Sequence, residues 1–111
     1  MIYLIQERAT EEQIEKMLET LGIYIKLAVD IDRLILAGGG EYHADCEAVL
    51  LKNGSKQVDI WGADWYPLTQ EVGYESLINI RPRQNNRSME IQDPVIRERV
   101  AEIVQQLLGG L

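Results

Sequence analysis

The sequence predicts an α+β fold, a mainly antiparallel, meander-like sheet of about five strands packed against two helices on one face. Three observations carry that expectation. Apolar residues recur at helical spacing near both ends of the chain, as Ile14, Met17, Leu18 and Leu21 and again as Ile96, Val100, Ile103, Val104 and Leu107. Between them lie short runs with β-branched enrichment or period-two alternation. Two of these runs flank Asn53-Gly54, a strong hairpin signal that favours antiparallel pairing.

The 111 residues suit one domain spanning 1–111, and 46% hydrophobic with 26% charged residues is globular composition rather than that of a disordered chain. No apolar run approaches the roughly 20 residues of a membrane span, and no basic segment precedes an extended apolar one at the N-terminus. A cytoplasmic protein without membrane association is expected. The lone Cys46 cannot form an internal disulfide and suits a reducing compartment. A net charge of −7 opposes non-specific attraction to nucleic acid, so nucleic acid is not the expected partner.

Residues 2–5 form a short apolar run that reads as a strand. Thr10-Glu-Glu-Gln13 is a capping-box pattern that starts a helix, and Gly22 supplies a C-terminal cap. Residues 24–29 read as a strand with Ile25, Leu27 and Val29 on one face and Lys26 and Ala28 on the other. The aspartates of 30–33 turn the chain into a second strand over 34–37. Gly38-Gly39-Gly40 then marks a bend; it is no phosphate-binding loop, because no helix opening on Lys-Ser/Thr follows.

From Tyr42 the alternation predicts a strand over 42–51, with Tyr42, Ala44, Cys46, Ala48 and Leu50 facing the core and His43, Asp45 and Glu47 opposite. After the Asn53-Gly54 turn, a returning strand runs from about residue 58 to Tyr66, where Pro67 ends it. Residues 72–80 read as another strand closed by Pro82, and 81–88 as a polar surface loop. Asp93-Pro94 starts the last helix as N-cap and first residue, and Gly109-Gly110 ends it.

Imidazole and carboxylates at His43-x-Asp45-x-Glu47 are suitable types for an acid–base pair or for transition-metal ligands, with Asp59 or Glu75 as a further donor. The plainer alternative is a wet sheet face whose other side is covered by helices. Arg81, Arg83 and Arg87 cluster in an otherwise acidic chain, and guanidinium forks match carboxylates and phosphates. They either hold an anion or pair with Glu41, Asp45, Glu47 or Glu75 and fasten the loop. Arg81 lies on the face of Asn79 and Glu75, within cross-strand reach of Asp45 or Glu47. Cys46 reads as a packed, inert thiol. Trp61, Trp65 and Tyr66 form either a stacking platform or a cover for the core or an interface.

The stretches Gly39–Glu47 and Gly54–Gln57, with Trp61-Gly62, Ile78–Pro82 and Asn86–Ser88, together resemble a family of short bacterial proteins of unknown function. The resemblance covers nearly the whole chain. It implies a stand-alone domain and supplies no activity or catalytic residue. Members of that family often carry glycine where Leu34 stands, which implies a different turn before it here.

The leading functional expectation is a binding protein for a small anionic molecule, with site residues His43, Asp45, Glu47, Asn79, Arg81, Arg83 and Arg87 where strand and loop meet. The arginines hold the anion and His43 orients it. The second is a metal-assisted hydrolase with His43 and Asp45 on the ion and Glu47 or Glu75 as base. The third is an interaction module, a homodimer joined through a sheet face or the Trp61-Trp65-Tyr66 end.

Overall fold

In a computed structural model, which describes residues 1–111, both terminal helices begin as their caps dictate. Thr10 Oγ1 accepts from the Gln13 N–H at 3.1 Å while Gln13 Oε1 accepts from the Thr10 N–H at 3.0 Å, opening α1 (Glu11–Leu18). The chain leaves the helix after Leu18, and Gly22, in the left-handed region at φ +88°, donates to Leu18 O at 2.8 Å. Asp93 Oδ1 accepts from the Val95 N–H at 2.8 Å and Pro94 fills the first position of the last helix, Pro94–Leu108.

The strands are β1 (Tyr3–Ile5), β2 (Ile25–Asp30), β3 (Ile35–Gly38), β4 (Ile60–Tyr66) and β5 (Glu71–Gly73). They form one five-stranded sheet in the order β1-β3-β2-β4-β5, and every neighbouring pair is antiparallel. The α+β fold and antiparallel sheet expected from the sequence are present. No helix is long and apolar enough to cross a membrane.

The strand expected over 42–51 is instead a helix, α2 (His43–Lys52), which makes the last helix α3. The period-two series that suggested a strand contains Cys46 and Leu50, an i, i+4 pair that serves a helix equally well, and these two are buried. Ala44, Glu47, Ala48, Leu50, Leu51 and Lys52 are also strong helix formers. Asn53-Gly54 is accordingly no hairpin turn. Gly54, at φ +104°, donates to Leu51 O at 3.1 Å, and Ser55 N donates to Leu50 O at 3.0 Å, which is the Schellman ending of a helix.

This helix changes the layering. As expected, α1 and α3 cover one sheet face, packing Met17, Val100 and Val104 on Leu27, Trp61 and Trp65. The opposite face is not left wet: α2 lays Cys46 and Leu50 on Ala28, Ile35, Ala37 and Ile60. Strands β2 and β4 are therefore buried on both sides along most of their length.

The strand expected over 72–80 is also cut short, because the chain leaves β4 after Gly73 and makes a single 3-10 turn at Leu77–Asn79. Ser76 Oγ accepts from the Ile78 N–H and starts that turn. The buried Asn79 side chain then takes the place of a ladder partner: Oδ1 accepts from the Gly62 N–H at 2.8 Å, and Nδ2 donates to Gly62 O, Tyr74 O and Met89 O at 3.0–3.2 Å. Glycine is required at 62, since a Cβ there would collide with Ser76 Cβ. In the 81–88 loop a second 3-10 turn at Pro82–Gln84 is closed by Asn85 at φ +63°.

The turn between β2 and β3 is built by Asp30, whose Oδ1 accepts from the Asp32 and Arg33 N–H groups at 2.9 Å. Leu34 closes it at φ +61°. The leucine thus takes the backbone geometry that glycine favours.

Candidate functional site

Strands β2 and β4 place Lys26 and Asp64 directly opposite one another on the face that α2 covers. Two positions along, Tyr24 and Tyr66 stack with ring centroids 5.3 Å apart and planes 13° from parallel. The first turn of α2 lies above them, with Tyr42 at the N-cap and His43 as the first helical residue. Glu75, Ser76, Leu77, Ile78 and Met89 make the remaining wall of a cleft of about 610 Å³, a size typical of small-molecule sites.

His43 Nε2 lies 2.8 Å from Asp64 Oδ1 and 3.1 Å from Ala63 O. A carbonyl oxygen only accepts, so Nε2 carries a hydrogen, and in the neutral ring Nδ1 holds the lone pair. That atom has no hydrogen-bond partner in the protein. The two side chains are only 12% and 11% exposed, so solvent screens their interaction little. Lys26 Nζ donates to Glu41 O at 3.1 Å and lies 5.6 Å from the centre of the Tyr42 ring, without a carboxylate ion-pair partner. Burial, and then the Asp64 charge, push the Tyr66 hydroxyl above the usual phenol range, which keeps it a donor.

A second cleft, of about 650 Å³, lies on the other side of Leu77 and Ile78, which line both. Glu47, one turn beyond His43 on α2, meets Arg81 there at 3.5 Å. Arg81 also donates through Nε to Ile78 O at 2.9 Å and through Nη1 to Gln57 O at 2.7 Å and Gln84 Oε1 at 3.3 Å, and its guanidinium lies 4.8 Å from the Trp61 ring centre. Burial lowers its pKa from the usual arginine value, against the opposing pull of Glu47.

The expected site therefore divides. His43 enters the first cleft and Glu47 and Arg81 the second, while Asp45 is exposed. In a helix His43 and Asp45 project roughly 200° apart around the axis, so the convergence expected of a strand does not occur. No three of the His, Cys, Asp and Glu side chains form a group that could hold a metal ion. Asn79 is buried as a structural splint, Arg83 sits at the second cleft, and Arg87 is exposed with its N–H given to Gln92 Oε1 at 3.0 Å. Trp61 and Trp65 lie in the core, so the stacked pair in the cleft is Tyr24 with Tyr66. Cys46 is buried, and burial pushes its thiol up to about 11.

Sequence reasoning did not single out Lys26, Asp64 or Tyr24, which line the first cleft. A signal existed: Lys26 and Asp64 are each charged residues flanked on both sides by apolar residues of a strand. In a buried strand such a residue needs a partner: Asp64 has His43, and Lys26 has the Glu41 carbonyl.

Fold and cleft together define a small α+β protein, its antiparallel sheet enclosed between helices and one of its clefts headed by a carboxylate-held imidazole. Residues 3–107 match the family described as "Protein of unknown function (DUF5674)", and the chain belongs to that family. Comparison with curated proteins gives no match, and neither does comparison with solved structures.

Proposed function

We propose that the protein binds a small anionic molecule in the cleft at the start of α2, with Lys26 holding the anion and His43 orienting it through Nδ1. The Tyr24–Tyr66 stack would support a planar or apolar portion. One observation carries this reading: Asp64 and Ala63 fix His43 through Nε2, leaving its other nitrogen without a partner in a cleft, shared with the Asp64 and Glu75 carboxylates, whose Lys26 ammonium forms no ion pair. Tyr42 gives the first turn of α2 no side-chain cap, and unsatisfied amides at a helix start favour an anion.

Lys26 replaces the arginines in this role because the donors of Arg81 are largely spent on Ile78, Gln57, Gln84 and Glu47. The single buried thiol, Cys46, supports a reducing, cytoplasmic setting. Titration calorimetry with carboxylated and phosphorylated metabolites tests the proposal. A ligand whose affinity falls about tenfold or more in Lys26→Gln, as for loss of one charge-assisted hydrogen bond, and is unchanged in Arg83→Gln, supports it. Absence of any binding, or binding that needs Arg83 and not Lys26, overturns it.

A further inference from the structure

We propose that the same cleft catalyses proton transfer at the carbon beside the carbonyl of a small 2-oxo acid, with His43 Nδ1 as the base; this rests on the binding reading above. A general base needs a lone pair held in place, a partner for the charge it acquires, and a group to stabilise the charge it creates. Nδ1 supplies the first, because Nε2 is fixed by two acceptors at 2.8 and 3.1 Å. Asp64 supplies the second as a positioning residue, since its carboxylate faces the ring nitrogen that stays protonated in the imidazolium. Lys26 supplies the third. It stands opposite Asp64 in the β2–β4 register and spends one ammonium hydrogen on Glu41 O, leaving others for a carboxylate and the adjacent oxygen.

The reaction class follows from the groups the cleft brings together. Ser76, at 2% exposure, turns its oxygen to the Ile78 N–H, and Cys46 is sealed beneath α2, so neither a hydroxyl of serine nor a thiol is presented to His43 for acyl transfer. A base and a cation suffice for enolisation. Nδ1 takes the proton from the carbon next to the carbonyl, the C–H pair becomes the C=C bond, and the carbonyl π pair moves to oxygen. The imidazolium then returns the proton to carbon, or to oxygen to give the enol. Nothing is oxidised or reduced and no co-reactant is consumed. The carboxylate of a 2-oxo acid suits Lys26, and the stacked tyrosines with Leu77 and Met89 suit an apolar side chain.

The test uses the full chain in D2O with phenylpyruvate and 2-oxobutyrate as probes, following loss of the C3 protons by NMR. The unmodified protein is expected to exchange them about a hundredfold faster than His43→Ala or buffer alone. Asp64→Asn should slow exchange and displace its pH profile, whereas a merely structural role would leave the profile unchanged. Should His43→Ala fold poorly, His43→Gln retains a donor for Asp64. Saturation-transfer spectra of the same samples separate the two ideas: binding without exchange overturns the catalysis and leaves the binding reading, and neither binding nor exchange overturns both. Exchange at the full rate in both His43 variants also overturns the proposal.

Discussion

Replacing Arg81 with alanine removes the join between α2, the turn before β4 and the segment that follows β5. Ile78 O and Gln57 O lose donors at 2.9 and 2.7 Å, at about 1 kcal/mol each for acceptors kept from water. Loss of the guanidinium over Trp61 adds about 0.5–1 kcal/mol. Glu47, whose side chain is 12% exposed, keeps its charge without a partner, which adds about another 1 kcal/mol at this long, partly wet contact. The expected total is about 3.5–4 kcal/mol, against about 0.5 kcal/mol or less for the exposed Arg83→Ala. In urea melts followed by circular dichroism, a slope of roughly 1.5 kcal/mol per molar lowers the midpoint by about 2 M for Arg81→Ala. The loss should persist in roughly half-molar salt, because most of it is hydrogen bonding. Glu47→Gln should cost less, since both carbonyls keep their donor. Equal, small losses for the two arginines would refute the reasoning, as would a loss in Arg81→Ala that salt abolishes.

Leu34→Gly is expected to stabilise the protein, because Leu34 is 59% exposed and adopts φ +61°; relief of roughly 1 kcal/mol of left-handed strain exceeds the added freedom of the unfolded chain. Thermal melts should rise by about 2–4 °C, and a fall would show that leucine packing in the turn outweighs the strain. Cys46 should resist thiol reagents at mildly alkaline pH until the protein unfolds; rapid labelling of the native state would contradict its burial. With its thiol raised from 9.0 to about 11, the unfolded chain loses the proton first. The corresponding stability is complete below pH 9.0 and is lost as pH rises through about 11, a contribution of about 2–3 kcal/mol. The gap between the unmodified protein and Cys46→Ala should close over that interval, and a constant gap would contradict the shift.

Signals confined to one turn of chain were legible in the sequence. The Thr10–Gln13 box and the Asp93-Pro94 start depend only on residues within three positions, and both formed as read. The stretch 42–51 misled because a period of two and a period of 3.6 both place Cys46 and Leu50 on one side, and Asn53-Gly54 serves a hairpin or a helix end with the same left-handed glycine. The site was harder still. His43 was singled out, yet its partner is 21 residues away in a strand whose register is set by β2, information that no local pattern holds. Arg81 and Glu47 did meet, though from a helix rather than a strand. The residues carrying the family resemblance identified the family without identifying any chemistry.

The wall between the two clefts hangs from asparagine amides instead of a strand ladder. Asn79 ties it to Gly62, and Asn86 gathers Asn79 O, Ser88 O and Glu90 O at 2.8–3.0 Å while accepting from the Gln92 N–H at 2.8 Å. Such a segment can detach as a unit while the five strands stay paired, so its amide hydrogens should exchange with solvent at a lower free energy than those of β2 and β4. Both clefts depend on that docking for the wall they share. Leu77 and Ile78 line both clefts, so a displacement of this wall would alter the two together.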